Sequence, residues 1–149
     1  RVPFEKLKAV MDIPYEPGLL EAVALKDGRE ISRCSLKTAG KMAGLAVVPE
    51  DAWIAADGRD LGYLRITAVD AKGTRCVEEE CQVTVQVEGS GSFVSMGSGN
   101  PCTEDQITEA SCHLWRGTAI VIVKGMTPGQ IRVTVRAKDI SGEGVLEAR

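Results

Sequence analysis

The chain has 149 residues, of which 44% are hydrophobic and 4% aromatic, with a net charge of −3 and a pI of about 5.3. That length holds one ordinary domain, or one domain and a piece of a neighbour, and the apolar content suffices for a real core. A weakly acidic chain gives no electrostatic reason to meet nucleic acid or an anionic membrane, no apolar run approaches the ~20 residues of a bilayer span, and so few rings argue against a broad stacking platform.

Turn signals recur every ten residues or so, and the runs between them are short and β-branched, the pattern of an all-β protein. Leu7–Ile13 reads as a first strand, stopped by Pro14-Tyr15-Glu16-Pro17-Gly18, where two prolines remove ladder donors. Leu20–Lys26 follows with Leu20, Ala22 and Ala24 on one face. Asp27-Gly28 then signals a type I′ hairpin turn, which needs positive φ at both central positions. Glu30–Thr38 returns, with Ile31 and Leu36 as anchors, and Lys37–Gly44 reads as a linker. Residues 1–42 therefore supply about three strands, too few for an immunoglobulin-type sandwich, which needs about seven.

Residues 43–149 carry a fuller set. Leu45–Val48 and Ala52–Ile54 read as one strand broken at Pro49, with Ile54 inward and Trp53 outward. After a turn at Ala56-Asp57-Gly58, Leu61–Val69 sets Leu64, Ile66 and Ala68 against Tyr63, Arg65 and Thr67, so one face is buried. Asp70–Gly73 turns, Cys81–Val87 alternates, and Phe93–Met96 forms a short strand after Gly89-Ser90-Gly91. A loop runs from Gly97 to about Glu104. Gln106–Leu114 approaches a helical period, but Thr108, Ser111 and Cys112 favour strand or loop. Trp115–Lys124 and Ile131–Lys138 read as the last hairpin, joined by Thr127-Pro128-Gly129, with Trp115 sharing the core parity of Ala119, Val121 and Val123. About seven strands with regular turns predict an immunoglobulin-like β-sandwich, preceded by a truncated β-sandwich module.

Candidate chemistry is sparse. His113 is the only histidine and no Gly-x-Ser-x-Gly elbow accompanies it, so it reads as a half-exposed strand residue rather than a catalytic base. The carboxylates fall in turns and on polar strand faces, and Glu78-Glu79-Glu80 reads as a solvated loop. Asp57-Gly58-Arg59-Asp60 lacks the spacing of a calcium loop and reads as a turn. Gly97-Ser98-Gly99-Asn100-Pro101 lacks the lysine of a phosphate loop. Gly97 and Gly99 are expected to serve backbone geometry, and Asn100 to cap neighbouring amides. Trp53 reads as a packing contact in preference to a sugar platform.

The five cysteines, Cys34, Cys76, Cys81, Cys102 and Cys112, are odd in number and include no Cys-x-x-Cys pair, so the zinc spacing is missing. Cys76–Cys81 and Cys102–Cys112 are the nearest possible bridges. Free thiols are the favoured reading, and they tilt the expectation toward a reducing cytoplasm. The sequence thus predicts no metal, no cofactor and no catalytic residue. The charged start, the missing initiator Met and the terminal Arg1 and Arg149 are read as an excised piece of a longer protein.

Two stretches resemble a known family. Ile13-Pro14-Tyr15-Glu16-Pro17-Gly18-Leu19-Leu20-Glu21-Ala22-Val23-Ala24, with Asp27-Gly28-Arg29-Glu30 and Lys37-Thr38-Ala39-Gly40, resembles the end of a small sandwich domain behind the catalytic barrel of family-2 glycoside hydrolases of the β-galactosidase type. Ile54-Ala55-Ala56-Asp57-Gly58-Arg59-Asp60-Leu61 and Val69-Asp70-Ala71-Lys72-Gly73 resemble the start of the bacterial immunoglobulin-like domain that follows it. Phe93–Pro101 and Trp115–Val123 resemble its later half, with Ser98 and Trp115 departing from the usual Asn or Asp and the usual Phe. The resemblance implies a parent enzyme acting on β-galactosides or related β-glycosides through two glutamates of an upstream barrel, and no position here matches those motifs. It also implies a partner, the barrel of the same polypeptide. Separately, the apolar face of Leu20, Ala22, Ala24, Ile31 and Leu36, uncovered in a truncated module, predicts that this module leans on the second one or self-associates with the same segment of another chain. A cell-surface adhesin module, marked by near-identical repeats, and a carbohydrate-binding module, marked by an exposed aromatic platform, are the competing readings.

Overall fold

The computed structural model describes residues 8–149. The chain divides into two compact units, Arg1–Thr38 and Ala39–Arg149, and no helix occurs among the described residues.

The first unit is a hairpin of β1 (Leu19–Lys26) and β2 (Arg29–Lys37). Its turn is the predicted one: Asp27 and Gly28 both have positive φ, 50° and 78°, which matches the twist of the flanking strands. At the open end Gly18 N donates to Thr38 Oγ1 and Thr38 N donates to Gly18 O, at 3.0 and 2.8 Å. The register sets Leu20 opposite Leu36, Ala22 opposite Cys34 and Ala24 opposite Ser32, so this face is uncharged up to the turn end, where Lys26 meets Arg29. On the other, Arg33 pairs with Glu21 and Glu30 at 3.0 and 2.9 Å. Ile31 falls at a bulge and is skipped by the ladder, so it does not join the row of Leu20 and Leu36. The strand predicted at Leu7–Ile13 is not seen over residues 9–13, and Leu7 lies outside the described residues. Alternation alone does not make a strand; a ladder partner is also required.

The second unit is a sandwich of two sheets. The first has four strands, in the order β3 (Met42–Pro49), β5 (Leu61–Asp70), β9 (Thr118–Gly125), β7 (Gly91–Gly97). The second has five, in the order β4 (Trp53–Ile54), β11 (Ile140–Ala148), β10 (Gly129–Ala137), β6 (Gln82–Gly89), β8 (Ser111–His113). Alternate residues from both sheets meet between them, with Leu64, Ile66, Val83, Val121, Val123, Ile131, Val133 and Val135 fully buried. Leu45 and Val47 of β3 and Leu146 of β11 close one side of this core.

Three sequence expectations change here. The segment read as a linker, Lys37–Gly44, is shorter than expected: only residues 38–41 lie outside strands, because β2 runs to Lys37 and β3 starts at Met42. The two halves read as one strand broken at Pro49 enter opposite sheets: β3 pairs antiparallel with β5, whereas β4 pairs parallel with β11. The predicted last hairpin is a crossover, since β9 and β10 belong to different sheets, and the true hairpin partner of β10 is β11. That strand carries no apolar alternation in its first half. Its inward positions there are Gly142 and Gly144, and a Cβ on Gly142 would stand 2.1 Å from Leu45 O. The backbone of β3 approaches so closely that only glycine fits, and the same requirement erases the strand signal.

Candidate functional site

The predicted structural loop joins β7 to β8. Gly99 has a φ of 74°, and a Cβ there would meet nothing within 4 Å. Asn100 Oδ1 accepts from Cys102 N at 3.0 Å, and Asn100 O accepts from Thr103 N at 3.3 Å, an Asx turn. Gly97 has no positive φ, and a Cβ there would stand 3.9 Å from Ile107 Cγ2, an ordinary contact. Farther along, Ile107 O accepts from Met96 N at 2.9 Å. Asp105 holds His113 twice, accepting from its backbone N at 2.7 Å and meeting its Nδ1 at 2.9 Å. The amide of His113, then its ring, hold the Asp105 carboxyl below the usual range. The loop is thus tied at both ends, and β8 covers the open edge of β6. Gly99→Val should lower the melting temperature through backbone strain alone, of about 1–2 kcal/mol, since no neighbour obstructs the side chain. An unchanged thermal transition would contradict the positive φ.

Sequence reasoning placed Asp70 in a turn, yet its carboxylate organises one end of the sandwich. It is only 8% exposed. Oδ2 accepts from Gly40 N at 2.8 Å, and Oδ1 accepts from Lys72 N and Thr74 N, both at 2.8 Å. The Gly40 amide first, then that of Thr74, hold its pKa at about 2 against an ordinary 3.8. The available signal was an aspartate opening an Asp-x-x-Gly turn; its partner Gly40, thirty positions earlier, left no local trace. A carboxylate with a depressed folded pKa stabilises fully above its unfolded value. That contribution is lost as pH falls through the folded value. Stability of the sandwich should therefore fall between about pH 4 and pH 2, and Asp70→Asn should be less stable at pH 6 with a shallower acid limb. Parallel pH–stability curves for the two proteins would contradict this assignment.

The other candidates are also engaged by the fold. Asp57 Oδ1 accepts from Arg59 N and Asp60 N at 2.8 and 2.9 Å, and Asp60 Oδ2 accepts from Ala55 N at 2.7 Å, which makes Asp57–Asp60 a self-capped turn. Within the Glu78-Glu79-Glu80 run, the Glu79 carbonyl accepts from Gly117 N at 2.9 Å. No group of three or more His, Cys, Asp or Glu side chains gathers as a metal would need among the described residues.

Trp53 is outward, 51% exposed, with the Arg149 guanidinium 5.7 Å from its ring centre. Trp115 departs from its predicted core position. Arg116 and Gly117 both take positive φ, 51° and 71°, and this turn breaks the alternation that linked Trp115 to Ala119. Trp115 is half-buried under Arg116, whose guanidinium is 5.1 Å from the ring centre, and Leu114 takes the core place. All five cysteines are free. Cys76 and Cys112 are buried, and burial pushes the Cys112 thiol up to about 11, so it acts as a small apolar group.

Two facing, mainly antiparallel sheets, with their polar groups turned to capping amides and closing loops, define an immunoglobulin-like β-sandwich module. Residues 45–145 match the family described as glycoside hydrolase family 2 C-terminal domain 5, and the chain belongs to that family. Among solved structures, a family 2 glycosyl hydrolase of Bacteroides cellulosilyticus is 30% identical with a TM-score of 0.87, over 92% of this chain and 18% of that one. A β-galactosidase of Bacteroides ovatus is 24% identical over 141 residues, 94% of this chain and 17% of the relative. A β-galactosidase of Thermoanaerobacter pseudethanolicus is 27% identical over 134 residues, 89% of this chain and 16% of the relative. The chain therefore spans less than a fifth of each of these larger proteins.

Proposed function

We propose that this chain is a non-catalytic accessory region of a β-galactosidase-like family 2 glycoside hydrolase. It supports the catalytic barrel, sets domain spacing or contributes oligomer contacts, while the parent hydrolyses β-galactosides or related β-glycosides. The observation that carries the reading is the family match over residues 45–145 in a chain less than a fifth the length of its β-galactosidase relatives. Carboxylates committed to backbone amides, such as Asp70 and Asp57, agree with a structural role. Gly99 and Asn100 then shape a structural loop. The complete gene product should release nitrophenol from aryl β-galactosides or a related aryl β-glycoside. A complete product that lacks a barrel, or is inert on such a panel, would overturn the reading.

Residues 1–42 are read in the same proposal as the end of a preceding sandwich, and residues 43–149 as the following domain. The uncharged face of the hairpin supports this: Leu20 and Leu36 are 46% and 67% exposed, and a two-stranded sheet is marginal alone. Preceding strands of the parent would cover it; in their absence the hairpin self-associates. Light scattering should show the 149-residue chain associating with rising concentration and a chain starting at Ala39 remaining monomeric. Identical behaviour of the two would remove the hairpin as the cause.

A further inference from the structure

The outer faces of the two sheets differ in kind. That of the five-stranded sheet is what a solvated surface requires: Gln86, Glu88, Arg132, Thr134, Glu143 and Glu147 stand in neighbouring rows, with Arg132 paired to Glu143. The outer face of the four-stranded sheet has an apolar centre, flanked by Thr67 and Thr118 and by Ser92 and Ser95 of β7. Tyr63 stands opposite Ile122, Val48 opposite Arg65, and Arg65 opposite Ile120, so that branched and aromatic side chains adjoin across three strands. Val48 is 58% exposed, and Tyr63, Ile120 and Ile122 are half-buried. An antiparallel sheet with apolar residues on both faces is built to be covered on both.

The charges on this face indicate what covers it. Arg65 is neutralised by Glu50 at 2.6 Å, but Lys124, in the same outward row as Ile122, has no ion-pair partner among the described residues. The strands contribute no carboxylate to the face, so it carries net positive charge although the chain is at −3. A two-fold pairing of this face with itself would leave Lys124 of each copy without a strand carboxylate to meet. A different surface, apolar at its centre with a carboxylate at its rim, is complementary. More than four-fifths of each matched relative's length lies outside the region shared with this chain, so a polypeptide of that kind has ample surface to offer.

We infer that the outer face of the four-stranded sheet, centred on Tyr63, Ile120 and Ile122, is an intramolecular docking surface, covered by a domain of the complete polypeptide that lies outside these 149 residues and meets Lys124 with a carboxylate. The inference rests on the accessory-region reading for the existence of that domain, but not on the parent's substrate.

Hydroxyl-radical footprinting compares the 149-residue chain with the complete polypeptide, each at a concentration where it is monomeric. Tyr63 and Ile122 should be modified several-fold more slowly in the complete polypeptide, with Val145 on the opposite sheet as the unchanged reference. In the complete polypeptide, Ile122→Glu should restore much of the Tyr63 reactivity, and Lys124→Glu should do so in part. Equal reactivity of Tyr63 in the two proteins would overturn the inference. So would an isolated chain that dimerises and is made monomeric by Ile122→Glu, because the occupant would then be a second copy. Should Ile122→Glu fail to fold, Lys124→Glu and the wild-type comparison still decide. An absence of glycosidase activity in the complete polypeptide would count against the proposed parent while leaving the footprint result standing.

Discussion

Gly142→Ala is expected to be among the most damaging single-methyl changes in the 39–149 sandwich. The added Cβ would lie 2.1 Å from Leu45 O and 2.9 Å from Leu45 C, both backbone atoms of β3. Neither can rotate away. Gly142 itself has no positive φ, so alanine suits its backbone and the whole effect is steric. Relief requires β3 to move off β11, which would loosen Leu45 and Val47 from the core beside Leu146. Overpacking costs about 1–3 kcal/mol where side chains can adjust, and this contact belongs at or above the upper end. In a domain of this size about 3 kcal/mol lowers the melting temperature by roughly 10 °C. Thermal unfolding checks it; a shift of only a degree or two would mean that the sheets are not so closely apposed along β3 and β11.

Gly117→Ala is expected to cost at least as much, for two reasons acting together. Gly117 has a φ of 71°, where a residue with a Cβ is strained by about 1–2 kcal/mol, and that Cβ would stand 2.1 Å from Cys76 O. The residue also joins two segments through its backbone: its N donates to Glu79 O and its O accepts from Ala68 N, both at 2.9 Å. This is the point where the chain leaves β8 in one sheet and enters β9 in the other. Denaturant unfolding should show a lower midpoint than wild type by more than the Gly99→Val protein, which carries only the dihedral cost. A Gly117→Ala midpoint equal to that of Gly99→Val would show that the Cys76 carbonyl yields freely.

The same two glycines explain where the sequence was hard to read. Strands whose inward positions are branched and apolar, such as Leu64, Ile66 and Ala68 of β5, were legible because burial leaves a period of two. β11 was not, because its inward Gly142 and Gly144 make room for a neighbouring backbone and contribute no side chain to the pattern. Trp115 was misplaced because alternation assumes an unbroken strand, and the left-handed pair Arg116-Gly117 resets it. Which sheet a strand joins was likewise not written locally: β9 and β10 look like a hairpin until the pairing partners are known. Of the polar features, the Asp57 and Asn100 turns were legible because their partners are two or three residues away. The Asp70 to Gly40 contact was not, because it depends on the completed sandwich.

Turnover by the isolated chain tests most directly whether it supplies support rather than chemistry. The purified 149-residue protein, assayed on chromogenic aryl β-galactosides, should show no hydrolysis above the buffer rate. Hydrolysis that persists through rigorous purification, and disappears when one of the chain's own carboxylates is replaced, would contradict the account.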